Sequence, residues 1–178
     1  MADLYCGVEV PDYVAQDCGS EQGGIVAVAF VDSSVDLDSS PENFEDASTW
    51  QALIDSSPRL AHIIKNTRGE YAGGSPVEQE GFGTETTRVT GADHEITFEV
   101  EWLKDNVTFW NNLNKRKNYK FAFKTASDQL HFVNKPVTVY AKQNVPRDIK
   151  AAAFWQVSVK WQDIDNPKIY DAPEGIFE

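Results

Sequence analysis

The residues most able to do chemistry are two cysteines and three histidines, and their spacing favours no catalytic or metal site. Cys6 and Cys18 could form one disulfide, half of a zinc site, or two free thiols. Zinc needs four ligands, and His62, His94 and His131 are scattered without a paired motif. A thiol nucleophile with a histidine base has no local support either. We therefore interpret the cysteines as free thiols.

An acidic stretch near residue 40 begins like a calcium-binding loop and then departs from it. Asp36 and Asp38 have the spacing of the first two ligands of such a loop. Pro41 stands where the tight turn needs glycine, and Ala47 stands where the bidentate glutamate belongs. Together with Asp32, these carboxylates leave a loosely held ion, or a small ion-dependent hydrolase, as a minor alternative.

The glycine-rich segments contain no motif for phosphate binding or nucleophilic catalysis. Gly73-Gly74-Ser75 and Gly81-Phe82-Gly83 lack Walker spacing and the dinucleotide fingerprint, and the sequence contains no Gly-x-Ser-x-Gly elbow. We therefore predict no catalytic residue, no cofactor and no bound metal, and a protein that is not an enzyme.

Charge is distributed very unevenly along the 178 residues. The 28 acidic and 16 basic residues give a net charge of −12. Residues 1–58 contain 12 acidic residues and no lysine or arginine, whereas residues 102–178 carry a net charge of +4. The basic cluster Lys115, Arg116 and Lys117 is too small for an electrostatic footprint on nucleic acid. We predict no specific nucleic-acid binding and, because no apolar run reaches the ~20 residues of a membrane helix, no membrane partner.

This asymmetry has three interpretations, which the sequence leaves open. The acidic half is a solvated face, or it meets the basic half of a neighbouring copy, or it lines a channel and repels phosphate. The second interpretation makes the following residues candidates for assembly: Asp36, Asp38, Glu42 and Glu45 on the acidic side, and Lys115, Arg116 and Lys117 on the basic side.

The N-terminal third is predicted to contain a buried strand followed by two short helices. Residues 1–24 are polar and turn-rich and are interpreted as an irregular N-terminal arm. A continuous apolar run follows and predicts the buried strand. Asp46 or Ser48 would cap one helix and Ser57-Pro58 would begin another, so residues 46–68 are predicted as two helical segments.

The C-terminal half is predicted to have the order β–β–α–β–β–β. Strict alternation of apolar and polar residues predicts strands, and Asn106 would cap the single helix. A hairpin is expected to turn near Asn134-Lys135. Residues 69–83, with five glycines, are predicted to be a long loop, and residues 163–178 a polar tail.

These elements define the predicted fold class. We expect a single domain over residues 1–178 that is mainly β (α+β): an antiparallel β-sandwich or barrel-like sheet pair with one flanking helix. An acidic N-terminal region with two short helices and extended arms would complete it. The tryptophans Trp102, Trp110, Trp155 and Trp161 are expected in the core.

Residues 83–177 resemble virion structural proteins of tailed bacteriophages. The segments that carry the resemblance are His94-Glu-Ile-Thr-Phe-Glu-Val-Glu-Trp102, Asp105-Asn-Val-Thr-Phe-Trp-Asn-Asn-Leu113 and Tyr119-Lys-Phe-Ala-Phe-Lys-Thr125. The helix followed by an aromatic strand is similar to small structural proteins of phages of Bacteroidetes hosts. The strand–helix–strand order also resembles tail-tube proteins, in which a β-sandwich with a flanking helix forms stacked rings.

The resemblance implies a non-enzymatic subunit that assembles into a ring or tube of the tail. Its partners would be other copies of itself and other virion proteins, and its location would be the virion, assembled in the host cytoplasm. The resemblance implies no catalytic residues. An auxiliary or decoration protein of the capsid is one alternative, and a monomeric binding module that uses residues 69–83 is a second.

Overall fold

Eight antiparallel strands form one sheet in a computed structural model, which describes residues 11, 13, 22–83, 87–101, 104–115 and 118–178. The strands are β1 (Ile25–Asp32), β2 (Ala61–Glu80), β3 (Thr87–Val100), β4 (Tyr119–Thr125), β5 (Gln129–Val133), β6 (Thr138–Asn144), β7 (Phe154–Gln162) and β8 (Lys168–Asp171). The helices are α1 (Glu42–Glu45), α2 (Ala47–Asp55) and α3 (Val107–Leu113). The strand order is β6-β7-β3-β2-β1-β4-β5-β8. The protein is mainly β, as the sequence predicts.

Strand β1 lies inside the sheet, between β2 and β4, and both of its faces are buried. Val28 and Phe30 point into one hydrophobic cluster, while Ala27 and Ala29 point into a second cluster on the opposite face. Successive side chains of a strand alternate between faces, so a strand covered on both sides must be continuously apolar. The predicted buried strand is confirmed.

The first cluster fills the concave side of the sheet. It combines side chains from β1, β3, β4, β5, β6 and β7 with Trp110 and Leu113 of α3. The sheet curls far enough for the Val137 backbone N–H, just before β6, to donate to the Tyr119 carbonyl of β4 at 2.9 Å. The structure is therefore barrel-like around this cluster, and α3 packs against it.

Helices α1 and α2 cover the second cluster, on the outer face of β1, β4 and β5. Phe44 stacks on Tyr170 of β8, with ring centroids 4.0 Å apart. Trp50 is fully buried and meets Phe177 edge-on at 5.1 Å. The predicted cap is confirmed as Asp46, whose carboxylate accepts from two backbone N–H groups at the start of α2. Each bond satisfies a donor that the first helical turn leaves unpaired.

Two predictions for the segment after α2 are wrong. The second predicted helix, residues 57–68, and the predicted loop, residues 69–83, are replaced from Ala61 to Glu80 by the single strand β2. The apolar residues of the first part serve both faces of the sheet: Ile63 packs on the second cluster and Ile64 on the first. A strand buried on both sides loses the period of two that would have identified it.

The predicted hairpin and tail also need correction. Strands β5 and β6 do not pair, because β5 lies between β4 and β8 while β6 pairs with β7 at the far edge. The tail, residues 163–178, is not a loose arm. It contains β8, and Ile176 and Phe177 are buried in the second cluster. Trp110, Trp155 and Trp161 are buried as predicted, and Trp102 lies outside the described residues.

Candidate functional site

The most prominent surface feature is a two-stranded ribbon formed by residues 76–91 of β2 and β3, with residues 84–86 of its turn outside the description. Strand β1 pairs with β2 only as far as Gly69, and β7 pairs with β3 only from Asp93 onward. Within the described structure, the ribbon's strands therefore pair with each other and with no third strand. A two-stranded ribbon is at best marginally stable alone in water.

The ribbon carries exposed apolar side chains toward its tip. Phe82 is 85% exposed, and Val89 is 43% exposed. A phenyl ring in water costs free energy that burial against another surface would recover, at about 25 cal/mol per Å². These two side chains make the ribbon a candidate contact surface.

A cluster of aromatic rings fixes the base of the ribbon. His94, only 2% exposed, stacks in parallel on Trp161 with ring centroids 5.0 Å apart. Its Nδ1 lies 2.7 Å from the Tyr71 hydroxyl, and its Nε2 lies 2.9 Å from the Asp163 carbonyl oxygen. A carbonyl only accepts, so Nε2 donates to it, and in the tautomer that carries its proton on Nε2 the Nδ1 atom accepts from Tyr71. Burial raises the pKa of Tyr71, which keeps that hydroxyl protonated.

Both ring nitrogens of His94 are thus engaged in holding the ribbon. The same connection is reinforced by paired backbone hydrogen bonds between Ala92 and Asp163, each 3.0 Å long. The Asp163 carboxylate also forms an ion pair with Lys135 at 2.8 Å. Burial acts to raise the pKa of Asp163, but hydrogen bonds from Lys135 and two backbone N–H groups outweigh it and lower the pKa. His94 therefore has a positioning role here.

Gly74 leaves the space that His94 occupies. A Cβ at this position would lie 2.5 Å from Cε1 of the ring and 2.8 Å from each nitrogen. Gly69 leaves space for Phe98 in the same way, since a Cβ at Gly69 would lie 2.6 Å from the Cβ of Phe98. These glycines, which suggested a loop in the sequence, admit large side chains from β3 within a continuous strand.

The acidic assembly candidates come together on the outer face of the sheet. Asp36 is exposed in the connection after β1, and Glu42 and Glu45 are exposed on α1. Asp38 is half-buried, 3.7 Å from Lys168 of β8, and its Oδ1 has no hydrogen-bond partner among the described residues. The group is continuous in the chain and lies beside the edge strand β8.

The basic assembly candidate that the structure describes lies on the other side. Lys115 is exposed just after α3, which packs against the first cluster. Arg116 and Lys117 lie outside the described residues. Within one copy, Lys115 and the acidic candidates therefore lie on opposite sides of the sheet, so a contact between them would need a second copy.

The described residues that were considered for ion binding do not come together as a metal site. Asp32 accepts hydrogen bonds from the backbone and hydroxyl of Ser34. Among the described residues, no group of three or more histidine, cysteine, aspartate or glutamate side chains is arranged to hold a metal ion. Cys6 and Cys18 lie outside the description.

No helix in the described part of the chain is both long and apolar enough to cross a membrane.

Sequence reasoning missed the ribbon and its anchor. Alternation in β3 was visible from Ile96 onward, but the pairing of residues 76–91 was hidden by the glycines and by two register shifts in β2. His94 falls at the start of the predicted strand in phase with the core residues Ile96 and Phe98. That phase was the available signal that the histidine is buried.

Comparison with known proteins adds no family assignment. No protein-family model matches the chain, and no curated protein matches it significantly. The resemblance to phage virion proteins therefore stays a prediction, and the functional argument depends on the surfaces described above.

Proposed function

We propose that the protein is a non-enzymatic structural subunit of a tailed-phage virion, which assembles with copies of itself into a ring or tube of the tail. The observation that carries the proposal is the ribbon, residues 76–91. It extends beyond the strands that flank it and exposes Phe82 and Val89. A neighbouring copy that covers these side chains would stabilise an element that is marginal on its own.

The charge distribution supports a head-to-tail arrangement. Contacts that build rings or tubes are heterologous: two different patches of one subunit meet the complementary patches of its neighbours. The exposed carboxylates of Asp36, Glu42 and Glu45 and the exposed Lys115 belong to opposite sides of the sheet. Attraction between such patches falls with ionic strength, because salt screens exposed charges over about 10 Å at 0.1 M.

The first experiment is the mass of the purified protein in solution. Light scattering across protein and salt concentration, with negative-stain images of the same fractions, should show rings, tubes or a defined oligomer that loosens at high salt. A strict monomer at every concentration would contradict self-assembly. It would favour a capsid decoration protein or a monomeric binding module.

A matched pair of variants tests the ribbon itself. Phe82→Ser removes the exposed ring at the tip, and Ile149→Ser removes a 97% exposed side chain from the β6–β7 connection. Both changes are at the surface, so neither should alter the free energy of unfolding by more than about 0.5 kcal/mol. We expect Phe82→Ser to reduce the oligomer mass and Ile149→Ser to leave it unchanged. Equal behaviour of the two variants would contradict a ribbon-mediated contact.

A further inference from the structure

A groove between the start of β2 and helix α3 has a composition unlike the rest of this acidic protein. Its volume is about 340 Å³. The polar side chains that line it are Arg59, His62, Lys65, Asn106 and Trp110. The remaining lining is apolar, and no carboxylate belongs to it among the described residues. We call it the basic groove.

The cations of the basic groove have no acidic partner among the described residues. Arg59 and Lys65 are exposed, and no described carboxylate forms an ion pair with either of them. The positive charge of Arg59 affects a neighbouring side chain. Burial, and then the charge of Arg59, lower the pKa of His62 on the same wall. An anionic group would relieve this unbalanced charge.

Two aromatic side chains of α3 form part of the groove wall. Trp110 is 1% exposed, and its Nε1–H has no hydrogen-bond partner among the described residues. The ring of Phe109 lies beside it, with centroids 5.0 Å apart. A fitting ligand therefore combines carboxylates with an apolar or aromatic side chain.

We infer that the basic groove binds the acidic N-terminal segment of this chain, residues 1–21. That segment contains five acidic residues and no lysine or arginine. It also carries two tyrosines and several aliphatic side chains, interspersed with the acids. Tyr13 is 92% exposed in the described structure, so its ring is available for a groove with an apolar wall.

The segment is long enough to reach the groove in its own copy or in a neighbour. The described chain resumes at Gln22, whose backbone N–H donates to Ser127 in the β4–β5 turn. Strand β1 then runs about 26 Å to the end where it pairs with Ala61, near the groove. An extended segment of 21 residues spans up to about 70 Å. The occupant is the same in both cases, and the copy that supplies it is a matter for experiment.

Cross-linking from the native thiol Cys6 tests the inference in the full-length chain. Cys18→Ser leaves one cysteine, and Thr108→Cys places a second on the exposed side of α3, next to Phe109 of the groove. The matched control, Thr138→Cys, places it at an exposed site on β6 instead. A short bismaleimide should link Cys6 to position 108 at least fivefold more efficiently than to position 138. On a denaturing gel, a dimer band assigns the segment to a neighbouring copy, and a faster monomer band assigns it to the same copy.

Charge exchange then distinguishes binding from chance proximity. Arg59→Glu with Lys65→Glu should lower the cross-linking yield at position 108 about fivefold, as expected if about 1 kcal/mol of ion pairing is lost. Lys142→Glu with Lys150→Glu makes the same change in net charge outside the groove and should leave the yield unchanged. Adding Asp12→Lys and Asp17→Lys to the groove variant should restore it. Equal yields at positions 108 and 138, or a yield indifferent to groove charge, would overturn the inference. Assembly that persists in that case would leave the proposed function intact.

Discussion

Replacing Gly74 by alanine should loosen the anchor of the ribbon. The added methyl would lie 2.5–2.8 Å from three atoms of the His94 ring, which is closer than side-chain contacts allow. The His94 ring cannot move away from the methyl without losing interactions, because it is 2% exposed, hydrogen-bonded at both nitrogens and stacked on Trp161. We expect the ring to leave its position.

The magnitude follows from the interactions that the ring would lose. Two hydrogen bonds are worth about 1 kcal/mol each. The parallel stack on Trp161 adds about 0.5–1.5 kcal/mol beyond its buried area. Gly74→Ala should therefore lower the free energy of unfolding by about 3 kcal/mol. With a typical urea dependence of about 1–3 kcal/mol per molar, the unfolding midpoint should fall by about 1–3 M.

Gly91→Ala is the matched control for this measurement. Gly91 lies on the facing strand of the ribbon, and a Cβ there would meet nothing within 4 Å. The same chemical change should shift the unfolding free energy by less than about 1 kcal/mol, through the entropy of the unfolded chain. Urea unfolding followed by circular dichroism compares the two variants directly.

A second mutation identifies the cause of the loss. In a His94→Ala background the clash is absent, so Gly74→Ala should cost less than about 1 kcal/mol there. Such non-additivity is expected of residues in direct contact. The reasoning would be refuted by a Gly74→Ala variant as stable as Gly91→Ala, or by an equal cost of Gly74→Ala with and without the histidine.

Two further predictions concern charge. Reversal of Lys115, Arg116 and Lys117 to glutamate should reduce the oligomer mass by light scattering without changing the melting temperature. The matched triple reversal of the exposed Lys142, Arg147 and Lys150 should leave the mass unchanged, and equal effects of the two sets would count against the basic cluster. Hydrogen bonds from Thr49 and Ser48 lower the pKa of Asp46 to about 2, below its value of 3.8 without them. A lowered pKa stabilises the fold above pH 3.8 and ceases to do so as pH falls toward 2. The melting temperature of Asp46→Ala should therefore lie below that of the unchanged protein at neutral pH, and the gap should close below pH 4. A gap that stays constant down to pH 2 would show that the carboxylate's charge is not what stabilises α2.

The sequence predicted those strands in which each face keeps the same degree of burial from end to end. Strand β7 alternates strictly from Trp155 to Trp161, because one face packs in the core and the other faces outward. Strand β1 reads as a continuous apolar run because both faces are covered. In each case a single physical condition holds along the whole element.

Prediction failed where one strand passes through several environments. Strand β2 is buried on both faces near Ile63, lies under bulky rings at Gly69 and Gly74, and is exposed beyond Ser75. No single period describes it, and its glycines signal close approach of other side chains. The predicted hairpin between β5 and β6 failed for a different reason. Adjacent strands favour hairpins, but here the curl of the sheet carries β6 to the opposite edge.

The position of β1 between β2 and β4 sets the order in which the chain can fold. The β2–β3 ribbon joins neighbouring segments and can form early, whereas Val28 must wait for Phe123, its partner from the other half of the chain. Contacts between distant segments carry a large loop-closure cost and slow folding. During synthesis, the segments that form the ribbon are therefore complete before Trp161, which anchors its base, has been made. Partly made chains would display its apolar tip while β1 still has an open edge, and this interval is when premature association is most probable.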